Sequence, residues 1–204
     1  GRNHLVDQAD RLVDLQPGEW VIQNAANSGV GAYLIQLAKA RGLKTVNVVR
    51  RESAVAGVLE TGGDVVLVDG LCLVERVSEA TGGAKIRLGI DAVGGASTDH
   101  LATSLTEGGV LVNYGAMSGE PCQISPASFV FRNITLRGFW LSKWFIGATP
   151  EQRMAVFGEI AALIAAGTLK SRIQATYSID QIKDAVGAAA AGERDGKILI
   201  VPKG

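Results

Sequence analysis

A change of hydrophobic period near residue 30 sets the strongest constraint on what this chain can become. Trp20, Val21 and Ile22 form a short apolar run, and the small-residue stretch Asn24-Ala-Ala-Asn-Ser-Gly-Val-Gly31 follows it. From there Val30, Leu34, Ile35, Leu37 and Ala38 fall on one face at helical spacing. A strand, a tight turn and a helix N-terminus in that order expose unpaired first-turn N–H groups and the positive end of a helix dipole, which suits an anion. The dinucleotide fingerprint G-x-G-x-x-G maps onto Ala26, Ser28 and Gly31. Only the third glycine is kept, where helix and strand must pack closely. Ala26 and Ser28 are still small enough for backbone to approach a pyrophosphate, and the Ser28 hydroxyl can donate to it.

The same alternation repeats along the chain. A helix over 30–41, closed by Gly42, leads into a second strand at Lys44–Val49. Residues 52–61, 71–80 and 97–105 read as helices, and 64–68, 86–93 and 110–114 as strands. Glycine pairs at 62–63 and 82–83 act as stops. Short loops and apolar strands in this rhythm predict an α/β fold: a doubly wound parallel sheet, Rossmann-like, covered on both faces. A helix over 5–15 precedes it, ended by Gln16-Pro17-Gly18. Beyond Gly115 come a Ser- and Pro-rich loop over 118–129 and a strand over 133–140. A long helix over 150–166 follows, then a strand at 173–178, a helix at 180–191 and a strand at 197–201. The expected division is a sheet domain with its leading helix over 1–145 and a C-terminal extension over 146–204.

Composition narrows the partners. With 20 basic and 20 acidic residues the chain carries no net charge, which argues against a nucleic-acid or anionic membrane surface. Cys72 and Cys122 stand in no metal or disulfide spacing, so no metal is expected. The first ten residues are too polar for a signal peptide, and no apolar run approaches the roughly 18–20 residues of a membrane span. The expectation is a cytoplasmic protein without a membrane or nucleic-acid partner.

The residue after the second strand decides which nucleotide suits the turn. A fold that binds NAD places an acidic side chain there, on the ribose diol. This chain has Arg50 and Arg51, with Glu52 behind them. A guanidinium at that point suits the 2′-phosphate of NADP. Val93-Gly94-Gly95 and Tyr114-Gly115-Ala116-Met117 end the fourth and fifth strands and would face the same crevice; glycines there also make ordinary turns. Trp140 and Trp144, beside Phe139 and Phe145, read as core or subunit interface rather than substrate wall. His4 and His100 read as surface histidines. No serine has the context of a nucleophile, and no catalytic residue is assigned.

Five segments together carry a family resemblance: Asn24-Ala-Ala-Asn-Ser-Gly-Val-Gly31, Val48-Val-Arg50, Asp91-Ala-Val-Gly-Gly95, Asn113-Tyr-Gly-Ala-Met117 and Leu136-Arg-Gly-Phe-Trp-Leu-Ser-Lys-Trp144. From about Leu15 onward the chain resembles the NADPH-dependent 2-enoyl thioester reductases, enoyl-CoA or enoyl-ACP reductases of the mitochondrial type. These belong to the zinc-free, quinone-oxidoreductase-like branch of the medium-chain dehydrogenases. The resemblance implies that Asn27, Ser28, Gly29, Val30 and Gly31 surround the pyrophosphate of NADP. It places the 2′-phosphate at Arg50 and Arg51, and the nicotinamide at Tyr114, Gly115, Ala116 and Met117. Phe139, Trp140 and Leu141 would lie near cofactor and acyl pocket, and Lys197 is a further cofactor contact. The substrate implied is an enoyl thioester or a quinone. Family members carry a preceding barrel-like domain with the proton-donating tyrosine. The resemblance covers only the cofactor-binding part, with 146–204 expected to pack on that other domain, and activity in isolation is not expected. The strand over 133–140 is where such dehydrogenases pair across a twofold axis, so a homodimer is expected there. Two other readings stand beside this one. One is a stand-alone NADP-binding module without catalysis, completed by a partner chain; the other is a different doubly wound protein such as a methyltransferase, whose turn binds another nucleotide.

Overall fold

The computed structural model describes residues 13–191 and 196–202. Residues up to Leu169 form one compact unit and those from Lys170 onward a second. In the first, the apolar runs form six parallel strands: β1 (Trp20–Gln23), β2 (Lys44–Val49), β3 (Val65–Val68), β4 (Ile86–Asp91), β5 (Val110–Asn113) and β6 (Thr135–Gly138). Their spatial order is β3-β2-β1-β4-β5-β6. The winding reverses between β1 and β4, which leaves a crevice beyond the carboxyl ends of these two strands.

Both faces are covered, which is why the strands are nearly continuous apolar runs rather than alternating ones. Val21, Leu88, Ile90, Val110 and Val112 pack with Ala38 of helix α1 (Gly29–Ala40) on one face. On the other, Ile22, Val46, Val48 and Leu111 meet Leu73 and Val77 of α3 (Leu73–Thr81) and Leu101 of α4 (Gly95–Ser104). Helix α2 (Val55–Thr61), entered by a 3-10 turn at Glu52–Ala54, buries Val58 against Ile35 and Val49. At the amino end of the sheet Arg87 donates to both carboxylate oxygens of Glu19, at 2.8 Å and 3.0 Å from its Nη2.

Beyond β5 the structure departs from the expected elements. The loop over 118–129 contains a single-turn helix α5 (Pro126–Phe129), started by Ser125 as N-cap. Strand β6 is four residues rather than eight: Asn133 sits at φ 53, and the chain leaves the sheet after the Phe139 N–H donates to the Asn113 carbonyl at 2.8 Å. An unexpected helix α6 (Leu141–Gly147) follows, and its Phe145 stacks on Phe157. Phe157 belongs to α7 (Pro150–Ala165), which opens with a complete Thr149–Gln152 capping box. Residues 13–15, the end of the expected leading helix, are not helical, and the rest of that helix lies outside the described residues.

The second unit holds β7 (Ile173–Ser178), α8 (Ile182–Ala190) and β8 (Lys197–Val201). β7 and β8 pair in parallel as a two-stranded sheet.

Candidate nucleotide site

The turn between β1 and α1 is shaped by contacts too tight for any side chain at residue 31. A Cβ on Gly31 would lie 2.5 Å from the Ala26 carbonyl oxygen and 2.7 Å from the Ala26 Cα, both backbone atoms with no rotamer to yield. Ala25 is held in the left-handed region at φ 47, and the Ala26 N–H donates to the Val48 carbonyl at 3.2 Å. From below, the buried Gln23 amide donates to the Gly31 carbonyl at 3.1 Å and to Asn47 Oδ1 at 2.8 Å.

Ser28 is the N-cap of α1: its Oγ accepts from the Gly31 N–H at 3.1 Å. The hydroxyl is hydrogen-bonded with the Tyr114 phenol, which ties the turn to the loop after β5. The N–H groups of Gly29 and Val30, in the first turn, have no intrahelical acceptor. Asn27 and Val30 are exposed, and Ser28 and Gly29 half-exposed, so this N-terminus opens to solvent. The residues present therefore fit a diphosphate: a turn so tight that residue 31 has no room for a Cβ, two unspent amides and a helix dipole.

Arg50 is exposed just past the end of β2, and Arg51 beside it is half-buried. Past β5, Gly115 is forced by proximity, since its Cβ would stand 2.7 Å from the Ala92 carbonyl oxygen. The Tyr114 N–H donates to the Asp91 carbonyl at 2.9 Å and the Met117 N–H to the Ala92 carbonyl at 3.1 Å. These bonds bind the loops after β4 and β5 together. Ala116 and Met117 are exposed, Phe139 is half-buried against the core, and Trp140 and Leu141 are exposed at the start of α6. Burial, reinforced by the Asp91 charge, raises the Tyr114 pKa above the ordinary phenol value despite the Ser28 bond, so the phenol stays protonated at neutral pH. Tyr114 and Val30 also line an apolar cavity of about 250 Å³ walled by Leu34, Leu88, Ile90 and Ile164. Lys197 belongs to the second unit, where it opens β8.

Sequence reasoning missed the polar chain beneath these loops. Asp91 is fully buried at the end of β4. Its Oδ1 accepts from Asn24 Nδ2 at 2.7 Å and from the N–H groups of Val93 and Gly94 at 2.9 Å and 3.1 Å. Its Oδ2 accepts from Thr98 Oγ1 at 2.7 Å and Asn113 Nδ2 at 2.9 Å. Burial alone would raise this carboxyl, yet the bonds from Asn24, Thr98, Asn113 and Gly94 outweigh it and hold it below the usual range. Asn24 also donates to Ser97 Oγ at 3.0 Å, and Ser97 donates to Asp69 at 2.6 Å. His100 Nδ1 lies 2.7 Å from the same Asp69, so this histidine is partnered and half-buried rather than a plain surface residue.

Among the described residues no group of three His, Cys, Asp or Glu side chains is placed to hold a metal ion, and both cysteines are exposed. Also among those residues, no helix is long and apolar enough to cross a membrane.

Fold and switch-point crevice together define a Rossmann-like α/β domain. The family model described as "Zinc-binding dehydrogenase" matches residues 29–159, and the chain belongs to that family. The chain is 42% identical over 158 residues to a protein of Dictyostelium discoideum named "Enoyl-[acyl-carrier-protein] reductase, mitochondrial", covering 75% of this chain and 45% of that one. A solved complex of Etr1p with NADP and crotonyl-CoA superposes with TM-score 0.77 at 28% identity, over 93% of this chain and 56% of that one. A putative NADPH:quinone reductase from Bacillus thuringiensis gives TM-score 0.80 at 24% identity, over 97% and 61%. The chain spans about half the length of the curated relatives it matches. Those relatives are named as mitochondrial, which overturns the cytoplasmic expectation: a balanced charge and a polar first segment carry no information about compartment. The family name implies zinc, but the described residues offer no ligand set that fits it.

Proposed function

We propose that this chain is the NADP-binding part of an oxidoreductase that reduces the C=C bond of a 2-enoyl thioester. The observation that carries the reading is the tight turn closed at Gly31, with the unpaired first-turn amides of α1 beside it and a guanidinium, Arg50, at the end of the neighbouring strand. The Gly29 and Val30 amides and the Ser28 hydroxyl hold the diphosphate, Arg50 and Arg51 select the 2′-phosphate, and the loop at Tyr114–Met117 receives the nicotinamide. NADPH, when bound, supplies hydride. Tyr114 keeps its proton and acts as a hydrogen-bond donor at the crevice, not as a base. The likeness to enoyl reductases and to the complex with NADP and crotonyl-CoA supports the thioester as substrate; a quinone is the second candidate.

Completion by another domain is favoured over a self-sufficient module by the second unit. There Ile173, Ile179, Ile182, Val186, Ile200 and Val201 are all exposed, more apolar surface than so small a unit leaves open without a partner. Strand β6 pairs with β5 alone among the described strands, and exposed Phe131 and Trp140 flank it, which supports pairing of two copies along this edge. NADPH, NADH and S-adenosylmethionine titrated against the chain by fluorescence and calorimetry test the reading. NADPH binding tighter than NADH supports it, and binding of S-adenosylmethionine alone overturns it. Crotonyl-CoA reduction that appears only when a relative's barrel domain is added separates an incomplete enzyme from a binding module.

A further inference from the structure

A buried carboxylate held by neutral donors among the described residues, set directly under a site meant for an anion, needs a reason. All five groups that donate to Asp91 are neutral, and they come from different places: Asn24 at the root of the phosphate turn, Val93 and Gly94 after β4, Thr98 in α4, and Asn113 at the end of β5. Two of them pass the constraint onward. The Asn24 side-chain oxygen accepts from the Ala92 N–H at 2.7 Å, and Asn113 Nδ2 also donates to the Gly115 carbonyl at 2.9 Å. One side chain thus fixes the spacing between the turn that begins at Asn24 and the loop that begins at Tyr114.

We infer that Asp91 is a positioning residue for the cofactor, setting the distance between its diphosphate cradle and its nicotinamide loop. The inference rests on the NADP reading above. Only a carboxylate fits the role. Asparagine has the same shape, but its NH₂ would meet the Asn113 NH₂, and turning the Asn113 amide to relieve that clash forfeits the bond to Gly115. Arg50 stands outside this device, because β2 is tied to β1 through Gln23 and Asn47 and not through Asp91.

The test uses the full chain, with NADPH, NADH and adenosine 2′-monophosphate as probes. Asp91→Asn is expected to weaken NADPH and NADH by the same factor, about tenfold or more, as befits buried donors left unmatched. The monophosphate, which needs only the Arg50 end, should keep its affinity. Equal weakening of all three probes would mean that Asp91 merely stabilises the fold, and no weakening of the dinucleotides would mean that it sets nothing; either overturns the inference. Failure of the unaltered chain to bind NADPH is a different result, and sinks the NADP reading itself.

Discussion

The two ends of the six-stranded sheet each hold a carboxylate below its ordinary pKa, by opposite means. At the amino end Glu19 is lowered first by its hydrogen bonds from Arg87 and then by the Gln16 N–H, in a half-exposed ion pair. At the carboxyl end Asp91 is fully buried and held by amides and a hydroxyl alone. An ion pair open to water contributes little and bends easily, whereas buried neutral donors cost much to disturb and fix geometry. The difference means that the buried carboxylate at the crevice is satisfied without drawing on Arg50.

If the carboxyl end is built for binding and the amino end only for cohesion, substitutions should sort accordingly. The largest effect is expected from Gly31→Val. Its side chain meets backbone at 2.5 Å, so NADPH binding should be lost and stability should fall by about 1–3 kcal/mol or more, read by calorimetry and denaturant melts. Arg50→Ala removes a charge-assisted contact of about 1.5–3 kcal/mol, so NADPH should weaken about ten- to hundredfold with NADH unchanged. Equal loss of both would break the assignment. Ser28→Ala deletes the cap of α1 and should cost about 1 kcal/mol in a melt.

The smallest effect belongs to Glu19→Gln: under about 1 kcal/mol, with NADPH affinity untouched. Acid bears on both ends. Both carboxyls have lowered folded pKa values, so each contributes stability that is present above the ordinary carboxylate pKa near 4 and lost as pH falls through its depressed folded value. Melts taken from pH 7 downward should show part of this acid limb vanish in Asp91→Asn and in Glu19→Gln.

Much of the fold was legible because its signals are local. The period change at Val30 and glycines such as Gly62 and Gly82, both observed at positive φ as helix stops, are read within a few residues. Helix α6 escaped because Trp140 gives it no side-chain cap and its aromatic run has no clear period. The need for glycine at position 31 was legible for the same local reason. The Asp91 chain was not, because Asn24, Asp69, Asp91, Ser97 and Asn113 lie up to 89 residues apart and come together only at the carboxyl edge of the folded sheet. Asn24 and Asp91 stood in the family motifs as letters whose pairing no spacing reveals.

The burial of the Asp91 clamp has a consequence for ionic strength. Mobile ions, with a screening length of about 10 Å at 0.1 M salt, weaken the attraction of an exposed guanidinium for a phosphate, but they do not enter a bond between a sealed carboxylate and an amide. Raising the salt should therefore loosen the coenzyme through its adenosine end while leaving the crevice in its original form.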